Sequence, residues 1–147
     1  MKYSANSFEL DLPEGYVDRS HHILTPPAAY TAEMFNFVVT RDELPNAVNL
    51  GQLVDTQVKA IERSQKNFKI TQAKRVGAFK NEVNLELSAF EVGFSYEAQG
   101  RMISQRLVFV ENQPGKILIF AGTLTGDWKE VQLESWAKLL TGLKFKA

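Results

Sequence analysis

The chain has 147 residues, 44% of them apolar, which is the size and composition of one globular domain. Lys plus Arg and Asp plus Glu both number 17, so the charge balance gives no reason to expect a nucleic-acid or anionic-membrane partner. The absence of cysteine excludes disulfides, cysteine-ligated metals, thiol nucleophiles and a lipoprotein anchor. Residues 1–7 lack the apolar run of a signal peptide, and no stretch approaches the roughly 18 apolar residues of a membrane span. We therefore expect a cytoplasmic protein that does not insert into membranes.

The apolar pattern predicts the following elements in chain order. Strands are expected at about 8–12, 20–24 and 35–40, followed by a helix that opens at Asn49. Asn49 and Gln52, three residues later, match the capping box of a helix start. Further strands are expected at about 68–79, 81–97, 101–111 and 116–122, with turns at 98–100 and 112–115. A closing helix is predicted to start at Asp127, with Glu130 in the capping position, and to end near Gly142.

Residues 81–97 break the regular alternation of a strand. Apolar residues occupy odd positions first and even positions afterwards: Val83, Leu85 and Leu87, then Phe90, Val92, Phe94 and Tyr96. An apolar row that changes face predicts a bulge or bend near Ser88 and Ala89, which would curve the sheet.

Most predicted strands follow one another as hairpins, and only two helices are available to cover them. The economical arrangement is an α+β fold in which a curved, mainly antiparallel sheet is flanked by two helices. The closing helix would bury four residues, namely Leu133, Trp136, Leu140 and Leu143. Residues 1–147 show no repeat, low-complexity segment or linker, so a single domain is expected.

Gln57 interrupts the apolar stripe of the first helix. The stripe consists of Leu50, Leu53, Val54, Val58 and Ile61. At roughly 100° per residue Gln57 lies between Leu53 and Ile61, so burying the stripe also buries an amide. An unpaired buried amide costs about 1–3 kcal/mol. Either a core partner satisfies Gln57, or this helix face meets a ligand that needs one polar contact on an apolar surface.

Two predicted strands also place an amide or a hydroxyl among apolar residues on one face. In residues 35–40, Asn36, Val38 and Thr40 share one face. In residues 101–111, Gln105 interrupts a face that otherwise holds apolar residues, namely Ile103, Leu107 and Phe109. Each amide alone can be a satisfied core group or an ordinary solvent-facing residue. Their recurrence on three elements favours a binding surface that is apolar with a few polar contacts.

Residues 35–42 (FNFVVTRD), the helix with Gln57 and residues 105–111 (QRLVFVE) together resemble the DcrB-related domain. More narrowly, they resemble the Eag adaptor chaperones of bacterial type VI secretion. The resemblance spans nearly the whole chain, from the opening strand to the closing helix with its tryptophan. It implies a single DcrB-related domain over residues 1–147 with a Mog/PsbP-like sandwich fold.

The resemblance also implies a function. Eag proteins are homodimers that bind the N-terminal hydrophobic transmembrane segments of a secreted effector and keep them soluble until loading onto the VgrG spike. A protein of this kind is not an enzyme, and it has no catalytic residue, cofactor or metal. Its implied partners are therefore an effector, a second copy of itself and, indirectly, the VgrG spike.

The implied client-binding surface is a concave sheet face with one helix beside it. Carried over position by position, it comprises Ile23, Asn36, Val38, Thr40, Gln57 and Ile61. A second glutamine of the family aligns with either Gln105 or Leu107, which share one strand face. This chain departs from the family at His21, where an aliphatic residue is usual, and at Asn36 and Thr40, where serine is usual.

An enzyme is the competing class of function, and the sequence offers little for it. His21 and His22 are neighbours on a strand, so they point to opposite faces and do not readily share a metal or a substrate. No Gly-x-Ser-x-Gly or His-Glu-x-x-His motif is present, and residues 114–116 lack the spacing of a phosphate loop.

The third hypothesis is a generic protein-binding module of the same fold. Residues 63–81 hold six basic residues and no acidic one: Arg63, Lys66, Lys69, Lys74, Arg75 and Lys80. Such a run is either a solvated or guarded edge strand or a docking site for an acidic partner. Binding to an acidic partner would weaken steeply with salt, whereas binding of a hydrophobic client would not.

Overall fold

A computed structural model describes residues 2–4, 9–16, 18–24 and 35–147. Over these residues the chain forms the strands β1 (Lys2–Ser4), β2 (Glu9–Asp11), β3 (His21–Leu24), β4 (Asn36–Glu43), β5 (Lys66–Val76), β6 (Phe79–Lys80), β7 (Glu86–Ala98), β8 (Arg101–Gln113) and β9 (Lys116–Thr125), and the helices α1 (Leu50–Ser64) and α2 (Glu130–Thr141).

Seven of these strands form one sheet. Its order is β3-β4-β9-β8-β7-β5, and β6 also pairs with β7. Every pairing among the described strands is antiparallel. The predicted α+β class, with a mainly antiparallel sheet and two helices, is therefore confirmed.

Among the described strands, the two N-terminal ones do not pair with this sheet. β1 and β2 form a two-stranded sheet of their own. β2 corresponds to the first predicted strand, of which Phe8 lies outside the described residues. β1, its partner, was not predicted, because three residues are too short a run to show a period.

α1 begins and packs as its sequence predicts. The Asn49 side chain accepts a hydrogen bond from the Gln52 N–H (2.9 Å), and the Gln52 side chain accepts one from the Asn49 N–H (3.0 Å). This reciprocal pair satisfies N–H groups that have no partner within the helix. Leu50, Leu53 and Val54 are buried against the sheet, so the apolar stripe fixes which side of the helix faces inward.

The strand register sorts the side chains of the sheet onto two faces, which we call the α1 face and the α2 face. The core of the α1 face consists of Leu50, Leu53, Val54, Val92, Phe94, Leu107, Phe109 and Ile117. The core of the α2 face consists of Phe37, Ala89, Val108, Val110, Phe120, Trp136 and Phe145. Both faces are therefore apolar, and each helix covers one of them.

The two apolar faces explain the change of phase before β7. The predicted bulge near Ser88 is wrong, because β7 pairs with β8 without a register shift from Ser88 to Ala98. Leu87 belongs to the α2-face cluster, whereas Phe90 packs on the α1-face cluster. The register shifts lie elsewhere, between β5 and β7 and near the β8–β9 turn. The apolar row thus passes from one core to the other without a bulge.

The predicted start of α2 is also wrong. The helix begins at Glu130 after Lys129, whose N–H donates to Gln132 Oε1 (2.8 Å). Trp128, in the segment before the helix, packs its ring 5.0 Å from that of Phe35. We attribute the later start to this packing. Of the predicted inward residues Trp136 is buried, while Leu133, Leu140 and Leu143 are half-buried.

Candidate binding surface

α1 covers only part of its face of the sheet. The helix packs against β5, β7 and β8. On the remaining three strands, β9, β4 and β3, the α1 face continues beyond the helix. We call this part the open half, and its residues are Ile119, Ala121, Thr123, Asn36, Val38, Thr40, His21 and Ile23. It is the part of the α1 face nearest the β3 edge.

Side chains of the open half are arranged in rows that cross the strands. The register aligns Gln105 on β8 with Thr123 on β9 and Asn36 on β4. We call these three the polar row. The Gln105 Nε2 atom donates to Thr123 Oγ1 at 3.0 Å. Asn36, at the end of the row, is exposed.

The next row is apolar. It runs from Leu107 on β8 through Ala121 and Val38 to Ile23 on β3. The exposed fraction of the side chains increases along this row. Leu107, beneath α1, is 7% exposed, and Ile23, at the sheet edge, is 69% exposed. Ala121 and Val38 between them are half-buried. The three outer residues, Ala121, Val38 and Ile23, form what we call the apolar band.

On β4 and β3 a second polar boundary follows on the other side of the band, whereas on β9 the same row holds the apolar residue Ile119. Thr40 on β4 lies opposite His21 on β3, and the His21 Nδ1 and Thr40 Oγ1 atoms are 3.2 Å apart. Asn36 and Thr40 are four residues apart on one strand, so the two polar boundaries are separated by about 13 Å. An α-helix with its side chains is about 10–12 Å across. The band therefore has room for one helix between its polar borders.

Gln57 lies on the side of α1 that faces away from β5. Lys74 on β5 pairs with Asp55 (2.8 Å), and Gln57 is roughly 160° around the helix from Asp55. That rotation turns Gln57 toward the side of the sheet that holds the open half. Gln57 is half-buried. Within the described part of the chain, its amide forms no hydrogen bond with another residue.

The eight residues named from the sequence fall in three environments. Ile23, Asn36, Val38 and Thr40 lie in the open half, and Gln105 lies in the polar row that borders it. Gln57 and Ile61 lie on α1, where Ile61 packs against the core under the helix. Leu107 belongs to that core itself. Of the two alternatives for the second glutamine position, Gln105 is the one whose side chain reaches the open half.

Sequence reasoning missed Ala121 and Thr123. Both lie on β9, which pairs with β4 on one side and β8 on the other. The predicted strand ended at Gly122, one residue before Thr123. Alternation on β9 alone indicates two apolar faces, and only the long-range pairing with β4 places Ala121 beside Val38.

The two histidines point to opposite faces, as their adjacency on a strand requires. His21 lies opposite Thr40 and His22 lies opposite Val39. Among the described residues no three His, Asp or Glu side chains converge in a way that could hold a metal ion.

The basic segment 63–81 is partly matched by carboxylates of the same chain. Arg75 Nε lies 2.7 Å from Glu91 Oε2, and Lys66 Nζ lies 3.8 Å from Glu97 Oε1. With Lys74 and Asp55, three of the six basic side chains are in ion pairs. β5, which carries most of them, forms the edge of the sheet opposite β3, so the charges suit a guarded edge strand.

Helix length bears on membrane association. Neither helix in the described part of the chain is long and apolar enough to cross a bilayer.

Comparison with known proteins decides the family. The sequence profile of the DcrB family matches residues 8–142. The chain belongs to the DcrB family. A curated relative, "Effector EagT6" from Pseudomonas aeruginosa, is 23% identical over 126 residues, which cover 85% of this chain and 83% of the relative. The resemblance to DcrB-related, Eag-type proteins is thus confirmed.

A solved structure supports the fold of this DcrB-family protein. The crystal structure of PA94, a Pseudomonas aeruginosa protein of unknown function, superposes with a TM-score of 0.71. The match covers 97% of this chain and 94% of PA94, with 22% sequence identity. At that level of identity the likeness concerns the fold alone.

Proposed function

We propose that this DcrB-family protein is a cytoplasmic adaptor chaperone of type VI secretion. It binds the N-terminal hydrophobic transmembrane segments of a cognate effector and keeps them soluble before loading onto the VgrG spike. The protein acts as a homodimer and carries out no catalysis. The observation that carries the proposal is the apolar band between two polar boundaries on the open half, and the similarity to EagT6 supports it.

The apolar band supplies the favourable term for binding. A transmembrane-type helix in water exposes apolar side chains, and covering them is worth about 25 cal/mol per Å² of buried apolar area. Ile23 is 69% exposed, so much of its surface is available to a client. Ala121, at the end of the band nearest α1, is small enough for a helix to approach the sheet closely, as small residues allow between membrane helices.

The polar boundaries supply orientation and keep the empty protein soluble. Asn36, Thr123 and Thr40 can exchange hydrogen bonds with Ser or Thr side chains or exposed backbone of the client. Gln57 offers an amide from the α1 side. Because these groups flank the band, the contiguous apolar patch exposed in the absence of a client remains narrow.

Co-expression tests the proposal directly. The N-terminal hydrophobic segment of an effector, fused to a soluble reporter, is produced with and without the chaperone. We expect the fusion to be soluble and to co-purify with the chaperone only when both are present. If the segment is equally insoluble or degraded in both cases, the proposal fails.

Salt separates this function from the acidic-partner hypothesis. A complex held by the apolar band should persist from low salt to 1 M NaCl, at which the Debye length is only about 3 Å. A complex that is soluble at low salt and dissociates at high salt would point to the basic segment 63–81 and contradict binding by the open half.

A further inference from the structure

A half-buried arginine lies on the α2 face of the sheet. The register places Arg106 on β8 between Gly93 on β7 and Gly122 on β9. Val108, two residues further along β8, belongs to the α2-face core, so Arg106 points to the same face. The open half lies on the other face of the sheet. A ligand of Arg106 would therefore leave the open half accessible.

Neutral groups hold the guanidinium group of Arg106 in place. Its Nη1 atom donates to Gln72 Oε1 at 2.6 Å, and its Cζ atom lies 5.8 Å from the centre of the Trp128 ring. A Cβ atom at Gly93 would lie 3.2 Å from Gln72 Cβ, and one at Gly122 would lie 2.9 Å from Trp128 Cη2. Glycine at these two positions thus lets both neighbours of Arg106 approach the sheet closely.

The charges around Arg106 are not balanced. Glu91 Oε2 accepts a hydrogen bond from Arg75 Nε at 2.7 Å. Within the described part of the chain, no carboxylate forms an ion pair with Arg106 itself. Burial lowers the pKa of Arg106 and the nearby charge of Arg75 lowers it further, whereas Glu91 acts in the opposite direction. Two guanidinium groups therefore share one carboxylate.

Two hydrogen-bond donors of this cluster have no acceptor. Arg106 Nε and Trp128 Nε1 are both buried and unpaired with respect to the described residues. Buried polar atoms are nearly always paired, so each such atom needs an explanation. A positively charged group with donors to spare matches a carboxylate, which arginine binds through two parallel hydrogen bonds.

We propose that Arg106, with Arg75, Gln72 and Trp128 around it, forms a second binding site that takes an acidic side chain of a protein partner. The exposure of the site favours a protein over a small molecule. The side chain of Arg75 is 63% exposed and that of Glu91 is 14% exposed, so the cluster opens to solvent beside β5. Small-molecule sites enclose most of their ligand, whereas an open site suits a side chain presented by another protein.

This site is distinct from the other two candidate surfaces. Arg106 lies outside the basic segment 63–81, and of the basic residues in that segment the site includes only Arg75. The open half is on the opposite face of the sheet, so the proposal does not rest on the chaperone function. Glu91 is an internal competitor for the incoming carboxylate, because it already occupies Arg75.

An NMR titration of the intact protein tests the site. The chain has two tryptophans, Trp128 and Trp136, so two indole N–H signals are expected, and the Arg106 Nε–H signal is a third reporter. The probe is a hexaglutamate peptide at constant ionic strength, with a hexaglutamine peptide as the matched control. We expect hexaglutamate to shift the Arg106 and Trp128 signals more than that of Trp136, and hexaglutamine to shift none.

Three variants assign the binding to this cluster. Arg106→Gln should weaken hexaglutamate binding at least about ten-fold, because a charge-assisted hydrogen bond is lost. Glu91→Gln removes the competing carboxylate and should tighten binding by about two- to five-fold. Arg63→Gln removes the same charge from an exposed position at the end of α1 and should change the affinity by less than about two-fold.

Four outcomes would overturn the inference. Hexaglutamate leaves the Arg106 and Trp128 signals of the intact protein unmoved, or Arg106→Gln and Arg63→Gln weaken binding equally, which is typical of general attraction to a basic surface. The third is weaker binding by Glu91→Gln. The fourth is tighter binding of inorganic phosphate than of hexaglutamate, which would assign the site to a free anion.

Discussion

Replacing Gln57 with alanine separates a binding amide from a core amide. Gln57 is half-buried and forms no side-chain hydrogen bond within the described residues, so Gln57→Ala removes no internal bond. Alanine also has the higher helix propensity, by a few tenths of a kcal/mol. We expect the free energy of unfolding to change by at most about 0.5 kcal/mol, or about 2 °C in Tm for a domain of this size.

The same substitution should weaken client binding. One hydrogen bond from the amide to the client is worth about 0.5–1.5 kcal/mol net, which corresponds to about a 2- to 13-fold increase in Kd. A competition assay measures this ratio directly: wild type and variant, with different affinity tags, are co-expressed with a limiting amount of the effector segment. The captured fraction of each gives the relative affinity.

Lys59→Ala is the matched control for Gln57→Ala. Lys59 is exposed on α1 and lies on the side away from the apolar stripe, so this variant should compete equally with wild type. The reasoning is refuted if Gln57→Ala lowers Tm by more than about 3 °C while binding stays unchanged, because that result is typical of a satisfied core amide.

Three further predictions concern the band, the core beneath α1 and the stability at high pH. Val38→Lys should weaken client binding by about 100-fold, since a charge against a membrane-type helix costs about 2.5–3.5 kcal/mol, whereas Val131→Lys on α2 should leave capture of the segment unchanged. Leu107→Ala should lower the free energy of unfolding by about 2–5 kcal/mol in urea titrations. Gln105→Ala, which loses the hydrogen bond to Thr123, should lower it by only about 0.5–1.5 kcal/mol. Equal losses in the two variants would contradict the assignment of Leu107 to the core. Burial raises the pKa of Tyr96 above 10.0, so its neutral form stabilises the fold below that pH and the contribution is lost as pH rises through the raised pKa. Tyr96→Phe should therefore show a smaller fall in Tm above pH 10.0 than wild type. An identical fall in both proteins would contradict the prediction that ionisation of Tyr96 lowers the stability at high pH.

Local patterns in the sequence were sufficient for the helices and for most strands. The capping box at Asn49 and Gln52 and the stripe around Gln57 depend on residues a few positions apart, and the structure confirms both features of α1. The predicted bulge near Ser88 was wrong because a single strand does not reveal that both faces of its sheet are covered. Leu87 and Phe90 serve different cores, and that assignment depends on where α1 and α2 pack.

The candidate surface depended even more on distant pairings. Asn36, Val38 and Thr40 were grouped correctly because alternation alone places them on one face. Their relation to Ala121 and Thr123 follows from the pairing of β4 with β9, which joins residues about 80 positions apart. Which of Gln105 and Leu107 borders the open half likewise depends on the position of α1, since the two share a strand face and Leu107 lies in the core beneath the helix.

The central claim is that a hydrophobic client helix lies on the open half of the α1 face. Site-specific photo-cross-linking in the co-expressed complex tests it most directly, with a photoreactive residue at Val38 in the band or at Val131 on α2. The account predicts that Val38 cross-links to the effector segment and that Val131, although 41% exposed, does not. Cross-linking from Val131 alone, or from both positions equally, would contradict it.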